Sequence, residues 1–254
     1  MRSPLYSKVE TSSTYLEKEK DRATIGGIVG KTFGLVLITT IIATTVSILL
    51  IRVLTYHPVA FIGLLFLSSI LSLIFAIGGR LSVRLTKYFS VGYALTEGVL
   101  VGTITGIVEA YVSGAGIICA FSTLIIYLSL LVLYRIGFIR TDSKEGINIL
   151  NIVLRLMIAF LLIGFVLAIF TSIVYLFRDV DKDFFYIMIL IEAIFLLYGI
   201  FSLTLSFGEA SAVVNSGCSK ASEWQVALGM EISLIYIYIR MLRIVLYIAA
   251  KGRK

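Results

Sequence analysis

Residues 225–249 read QVALGMEISLIYIYIRMLRIVLYIA, an apolar run with a glutamate, Glu231, inside it. About 20 apolar residues in a helix are enough to span the hydrocarbon core of a bilayer. Three further glutamates lie inside apolar runs of similar length: Glu97, Glu109 and Glu192. Charged side chains are costly in lipid, so each of these carboxyl groups is a candidate functional residue. The pattern indicates a polytopic membrane protein.

The rest of the chain has a similar composition. Of its 254 residues, 59% are hydrophobic, and the mean hydropathy is +1.03. We predict an all-α polytopic membrane protein with a polar cytoplasmic tail over 1–24, one seven-helix transmembrane domain over 25–250 and a basic tail over 251–254. The predicted helices are 28–51, 59–79, 90–112, 115–134, 150–177, 184–207 and 225–249. Short linkers at 112–114 and 178–183 favour antiparallel neighbours.

Charge, cysteine and histidine narrow the functional classes. The net charge is +7, but the basic residues cluster in short loops beside apolar runs, where they meet lipid headgroups, so we expect no nucleic-acid binding. Cys119 and Cys218 are isolated, and His57 is the only histidine. A catalytic triad or a metal cage needs more such side chains, and no nucleotide or hydrolase motif is present. We therefore expect no metal, no cofactor and no enzymatic activity, and the lipid bilayer is the first expected partner.

Lysine and arginine predict the orientation, because cytoplasmic loops carry an excess of them. They are frequent in the tail and after the second and fourth predicted helices, and sparse on the opposite side. We predict a protein integral to the cytoplasmic membrane with a cytoplasmic N-terminus. The last helix departs from this pattern, because seven full crossings would place the basic residues from Arg240 to Lys254 outside. Either late helices obey the rule weakly, or one of the last two apolar segments is re-entrant and the C-terminus returns to the cytoplasm.

The third predicted helix has a face of small residues. Gly98, Gly102 and Gly106 recur every four residues, a spacing that lets a neighbouring helix approach closely. Glu109 continues this stripe, and Glu97 lies near the opposite end of the same helix. The glycines predict a packing seam. The two glutamates either lie at the interface in headgroup water or belong to an ion path.

The last two helices carry the remaining acidic candidates. Glu192 lies near mid-span, where it either lines a water-filled cavity or is a neutral, hydrogen-bonded packing residue. Glu231 and Arg240 are separated by nine positions, a rotation of about 180°, so they cannot pair within the helix. We expect Arg240 and Arg243 to reach headgroups at the interface. Glu231 then needs a partner from another helix or from water.

Several motifs resemble one family of membrane proteins. Residues 223–229, EWQVALG, and 236–243, YIYIRMLR, resemble the pattern that closes Bax inhibitor-1-like (YccA-type) prokaryotic membrane proteins. Residues 93–98, YALTEG, are similar to the YALLEG of that family, and residues 23–33, ATIGGIVGKTF, look like its approach to the first helix. Its Y..G.I.T run is matched by Tyr134, Gly137, Ile139 and Thr141. The resemblance extends in order over residues 23–245.

The resemblance implies a seven-helix transmembrane bundle of the Bax inhibitor type, in which six helices surround a more polar last one. It also implies a pH-sensitive cation or calcium leak controlled by carboxylates on the last two helices. Such carboxyl groups can share a proton and switch a gate as they charge. The chain departs from the family where Ser206-Phe207-Gly208 replaces the motif DFD, so two carboxylates are missing. Glu209 and Glu231 are candidates to substitute for them.

These observations leave two leading functions. The first is a cation leak channel that passes Ca²⁺ or another cation, because carboxylate oxygens suit hard cations. Its candidate path or gate residues are Glu192, Glu209 and Glu231, with Glu97 and Glu109 as secondary candidates. The second is a membrane regulator that binds a membrane AAA protease or another partner through the tail over 1–21, as the resemblance implies. A secondary transporter also stays open, although the two halves show no inverted repeat.

Overall fold

Long α-helices make up the described part of the chain. The computed structural model describes residues 22–53, 58–135 and 182–252. The helices are α1 (Ile25–Val53), α2 (Pro58–Leu81), α3 (Thr86–Tyr111), α4 (Ala115–Arg135), α5 (Lys182–Asn215) and α6 (Ser222–Gly252). Within these ranges there is no β-strand, and an isolated bridge joins Arg22 to Ser219. The fold class is all-α, as predicted.

All six helices are long and apolar enough to cross a membrane. A helix satisfies its backbone hydrogen bonds internally, which is the condition for spanning lipid. Large apolar side chains such as Phe66, Ile118 and Leu197 are exposed on the outer surface. Such a surface suits contact with acyl chains, and the protein is a multi-pass membrane bundle.

Each described helix corresponds to one of the predicted helices, although several of the helix ends differ. The described residues hold six helices rather than the predicted seven, and the predicted helix over 150–177 lies outside them, as do residues 1–21 of the predicted tail. The largest difference between a predicted and an observed helix end is in α5, which continues to Asn215 instead of ending at 207. It ends where Gly217 adopts a φ of 65°, a left-handed conformation that commonly terminates helices.

The last helix, α6, lies at the centre of the described bundle. It contacts every other described helix, with its most extensive contact against α5. Its side chains Leu228, Met230, Ile237 and Leu242 are fully buried. The expectation of a central last helix, which came from the family resemblance, is therefore met among the helices that the structure describes.

The directions of α1, α5 and α6 define two ends of the bundle. The backbone N–H of Ala23 donates to the carbonyl of Cys218 over 2.9 Å, so the start of α1 and the turn between α5 and α6 meet at one end, here called the amino end. Helices α5 and α6 are antiparallel and unbroken, with the Ser202 and Ser233 hydroxyls 3.1 Å apart near their middle. Gly252 therefore lies at the opposite, carboxyl end. The re-entrant alternative does not describe these helices.

The glycine face of α3 packs closely against α1. A side chain at Gly98 would collide with Ile42, and one at Gly102 would collide with the backbone of Ala43. Gly106 is buried on the same helix. The predicted packing seam is present at Gly98 and Gly102, and its partner is α1. This close approach brings the polar residues of α1 next to those of α3 and α6.

Candidate functional site

The most unusual polar group in the described chain is the carboxyl group of Glu231. Its side chain is 0% exposed, in the first half of α6, which spans Ser222–Gly252. One oxygen, Oε1, lies 2.7 Å from the hydroxyl of Thr39 on α1. The other oxygen, Oε2, is buried and has no hydrogen-bond partner among the residues that the structure describes. Buried polar atoms are rarely left unpaired, so Oε2 marks a position where a ligand, water or a rearrangement would satisfy it.

The Thr39 hydroxyl can respond to the charge of Glu231. It lies 3.3 Å from the carbonyl oxygen of Ala94 as well as 2.7 Å from Glu231 Oε1. A hydroxyl has one proton to donate. If Glu231 is ionised, Thr39 donates to it; if Glu231 is neutral, Glu231 can donate to Thr39 while Thr39 donates to Ala94. The hydrogen bonds between α1, α3 and α6 therefore depend on the protonation of Glu231.

A second buried carboxyl group lies close to the first. Glu97 on α3 is 8% exposed and accepts a hydrogen bond from the Ser72 hydroxyl on α2. Its charge and that of Glu231 act on each other, and the phenol of Tyr93, one turn earlier on α3, is near both. Thr39, Ser72, Tyr93, Glu97 and Glu231 form what we call the carboxyl cluster. Four helices contribute to it.

The carboxyl cluster has no balancing cation among the described side chains. The ion pairs between described residues involve Glu192 and Glu223, not Glu97 or Glu231. Removing one partner of a buried ion pair leaves an uncompensated charge, which is strongly unfavourable. A negative charge in the cluster therefore requires a cation, water or a movement of the helices. Over the same described ranges, no group of three or more His, Cys, Asp or Glu residues is arranged to hold a metal ion.

Glu192 has a different environment, near the carboxyl end. Its Oε2 accepts a hydrogen bond of 2.9 Å from Arg240, and its Oε1 lies 3.5 Å from Arg243. The Arg240 guanidinium also lies over the rings of Phe195 and Tyr236, at 4.4 and 4.8 Å from their centroids. Arg240 and Arg243, which we expect from the sequence to reach headgroups, both lie beside Glu192, and the sequence does not predict this arrangement. Glu192 is accordingly paired with arginine side chains of α6.

Comparison with known proteins agrees with the family resemblance of the sequence motifs. A family model described as Bax inhibitor 1 like matches residues 3–250. The chain belongs to the Bax inhibitor 1 like family. No curated protein and no solved structure matched.

In this Bax inhibitor 1 like protein, Glu209 does not join the carboxyl cluster. Its side chain is exposed, and its carboxylate lies with the Arg80 guanidinium on the Gly229 side of α6. Glu231 is two residues further along, a rotation of about 200°, and faces α1 and α3 instead. At the position of the first missing carboxylate, the Ser206 hydroxyl bonds to its own helix. The structure does not bring Glu209 and Glu231 together as a substitute pair.

Glu109 has a local structural contact in this Bax inhibitor 1 like chain. Its two carboxylate oxygens accept hydrogen bonds from the backbone N–H groups of Gly114, at 2.7 Å, and Gly116, at 3.0 Å. These groups lie at the start of α4, where N–H groups lack partners within the helix and a negative charge is favourable. Gly114 has a φ of 83°, which suits glycine in this tight turn. The predicted secondary role of Glu109 in an ion path has no contact to support it.

Sequence reasoning missed the residues that complete the site in this Bax inhibitor 1 like protein. Thr39, Ser72 and Tyr93 were not singled out as site residues, because threonine, serine and tyrosine are common in membrane helices and their spacing within one helix shows no pairing. An ion pair at the amino end was also missed: Lys31 and Glu223 lie 2.5 Å apart, and Thr24 donates its backbone N–H to Glu223. The available signal was the glutamate that opens the motif EWQVALG and the lysine in ATIGGIVGKTF, and the sequence does not show that the two meet.

Proposed function

We propose that this protein is a pH-sensitive cation leak channel that passes Ca²⁺ or another cation, with Glu97 and Glu231 as its gate. One observation carries the proposal: Glu231 is fully buried between helices, and its Oε2 has no partner. A carboxylate oxygen in that position can accept a cation, and Glu97 supplies further oxygens nearby. Two neighbouring carboxyl groups also make a proton-dependent pair.

The gate would respond to protons through charge and through packing. With both carboxyl groups neutral, the carboxyl cluster attracts no cation and α1, α3 and α6 stay closely packed. Loss of a proton places a negative charge where no described cation balances it, so a cation or water enters or the helices separate. Thr39 then turns from Ala94 to Glu231. We therefore expect the flux to be greater at higher pH.

Glu192 has a supporting role in this proposal. Its partner Arg240 is on the opposite face of α6 from Glu231, because nine residues correspond to a rotation of about 180°. The ion pair fixes α5 against α6 while Glu231 faces α1 and α3. We place the gate at Glu97 and Glu231, and treat Glu192 as a residue that positions the central helix.

We also propose seven crossings, with the N-terminus in the cytoplasm. Tyr134, near the end of α4, contacts Ser211 at the amino end of the bundle, whereas α5 begins at the carboxyl end. An odd number of crossings between them, such as the predicted helix over 150–177, would join these ends. Arg80, Arg84 and Lys87 lie near the amino end, in agreement with a cytoplasmic position. Labelling of single cysteines from each side of the membrane tests this orientation.

Flux measurements test the channel proposal. Purified protein in liposomes would be assayed for Ca²⁺ and K⁺ flux from about pH 5 to about pH 8, a range in which buried carboxyl groups can titrate. Glu231→Gln is expected to weaken the pH dependence strongly, because it removes the carboxyl group that is 0% exposed and leaves only that of Glu97 in the carboxyl cluster. Glu209→Gln is the matched control, because Glu209 is an exposed carboxylate outside the cluster. Equal pH profiles for Glu231→Gln and wild type would overturn the gate.

The absence of flux at every pH would favour the alternative function, a regulator that binds a membrane AAA protease. The segment that would contact such a partner, residues 1–21, lies outside the described residues. Deletion of this segment followed by co-purification from membranes tests that alternative. Unchanged recovery of a protease would remove its main support.

A further inference from the structure

A groove opens on the outer side of α1, at the amino end of the bundle. It has a volume of about 340 Å³ and lies between α1, α3 and the start of α6. Gly30 and Gly34 leave its floor open, since no heavy atom lies within 4 Å of the position of a Cβ at either residue. Leu35 and Ile38 provide an apolar wall. The groove is not part of the carboxyl cluster.

The mouth of the groove is cationic and aromatic. Trp224 lines it, with Lys31 Nζ at 5.0 Å and Lys87 Nζ at 6.0 Å from the ring centroid. Lys31 is neutralised by Glu223, at 2.5 Å. Lys87 is exposed, and the ion pairs among the described residues do not include it. The mouth therefore presents an unbalanced positive charge next to an aromatic ring, which suits the headgroup region of a membrane.

The dimensions of the groove suit one lipid chain. From Gly27 to Ile38 it follows α1 for eleven residue steps, about 16 Å at 1.5 Å per residue. One leaflet contributes half of the hydrocarbon core of about 30 Å, or about 15 Å. The groove thus begins at headgroup depth and ends near the middle of the bilayer.

We propose that this groove binds one acyl chain of an anionic phospholipid, with its phosphate beside Lys87 and Trp224. Charge complementarity selects the headgroup, because no ion pair between described residues includes Lys87, whereas the charge of Lys31 is balanced by Glu223. The apolar wall and the open glycine floor accept the chain. The groove shares no residue with the carboxyl cluster, although Ile38 is adjacent to Thr39, which contacts Glu231.

Trp224 provides a direct readout, because it is the only tryptophan in the chain. The full-length protein would be placed in nanodiscs that contain a zwitterionic phospholipid and a small fraction of brominated lipid. Bromine quenches tryptophan at short range. We expect stronger quenching by a brominated anionic phospholipid than by a brominated zwitterionic one at equal fraction. Equal quenching would overturn the proposal, because it would indicate ordinary surrounding lipid.

Two variants separate the headgroup from the chain. Lys87→Gln should lower the preference for the anionic lipid about fivefold, the effect of one lysine near a charged surface. Gly30→Leu should fill the groove and reduce quenching by both lipids. Gly26→Leu is the matched control, since Gly26 is on the same helix with equal open space but does not line the groove. Equal quenching in the Gly26 and Gly30 variants would contradict a bound chain.

Other occupants give different results. If a second copy of the chain fills the groove, Gly30→Leu should lower the number of protein chains per nanodisc, and hence the particle mass. Quenching of the wild-type protein should then fall as the number of copies per nanodisc rises. If residues 1–21 fill it, deletion of that segment increases quenching by both lipids. Either result would overturn the lipid site. Thermal unfolding of each variant, with a midpoint equal to that of wild type, shows that the quenching is compared between folded proteins.

Discussion

Thr39 on α1 and Glu231 on α6 are joined by a contact of 2.7 Å between side chains that are both buried. These residues are 192 positions apart in the chain. The contact places a threonine hydroxyl between a carboxyl group on one helix and the Ala94 carbonyl on another. It is the point at which a proton on Glu231 can affect the packing of three helices.

Thr39→Val should destabilise the protein most when Glu231 is ionised. Valine keeps the shape of threonine but cannot donate, so the ionised carboxylate loses a hydrogen bond worth about 1–3 kcal/mol. Thermal unfolding in detergent at low and high pH measures this difference. Thr40→Val is the matched control, because the exposed Thr40 hydroxyl bonds only within α1, to Val36. Equal effects of the two variants at high pH would contradict the role of Thr39.

Glu97→Gln should make the pH dependence of flux less steep. Glu97 and Glu231 interact, and two interacting carboxyl groups titrate as a pair. With glutamine at position 97, a single carboxyl group remains in the carboxyl cluster. Flux through liposomes, measured in small pH steps, gives the steepness. A profile identical to wild type would place Glu97 outside the gate.

Arg240→Gln should destabilise the protein by about 3–5 kcal/mol, because it leaves Glu192 buried without its closest partner. The double variant with Glu192→Gln should recover much of this loss. Arg243→Gln is the control, with an expected loss below about 1 kcal/mol, since Arg243 is 3.5 Å from Glu192 and 45% exposed. Denaturation of all three variants in the same detergent makes the comparison. A double variant as unstable as Arg240→Gln would contradict the pairing.

Gly102→Ala should destabilise the contact between α1 and α3. A methyl group there meets the backbone of Ala43, which cannot move aside as a side chain can, so a cost of about 1–3 kcal/mol is expected. Gly30→Ala is the matched control: its methyl group meets no atom within 4 Å, and alanine favours the helix. Thermal unfolding compares the two. If the Gly102→Ala protein were as stable as the Gly30→Ala protein, the close packing of α1 against α3 at Gly102 would not contribute to the free energy of unfolding.

The sequence alone located the helices and the buried acids, but not the partners of those acids. Apolar length predicted each described helix, and the GxxxG spacing predicted close packing of α3 without naming α1 as its neighbour. The separation of Glu231 and Arg240 on α6 was correctly predicted, because a helix has a fixed rotation per residue. The pairing of Arg240 with Glu192 was not predicted, because it depends on how α5 lies against α6.

By itself, the sequence determined a membrane-spanning helical bundle of the Bax inhibitor 1 like family, because span length, periodicity and motifs are local properties of the chain. Only the tertiary structure decided which carboxyl groups meet. It placed Glu231 in contact with Thr39 and within electrostatic range of Glu97, paired Glu192 with Arg240, and left Glu209 exposed. The physical reason is that charge interactions depend on distance across the bundle, and that distance is set by which helices pack together.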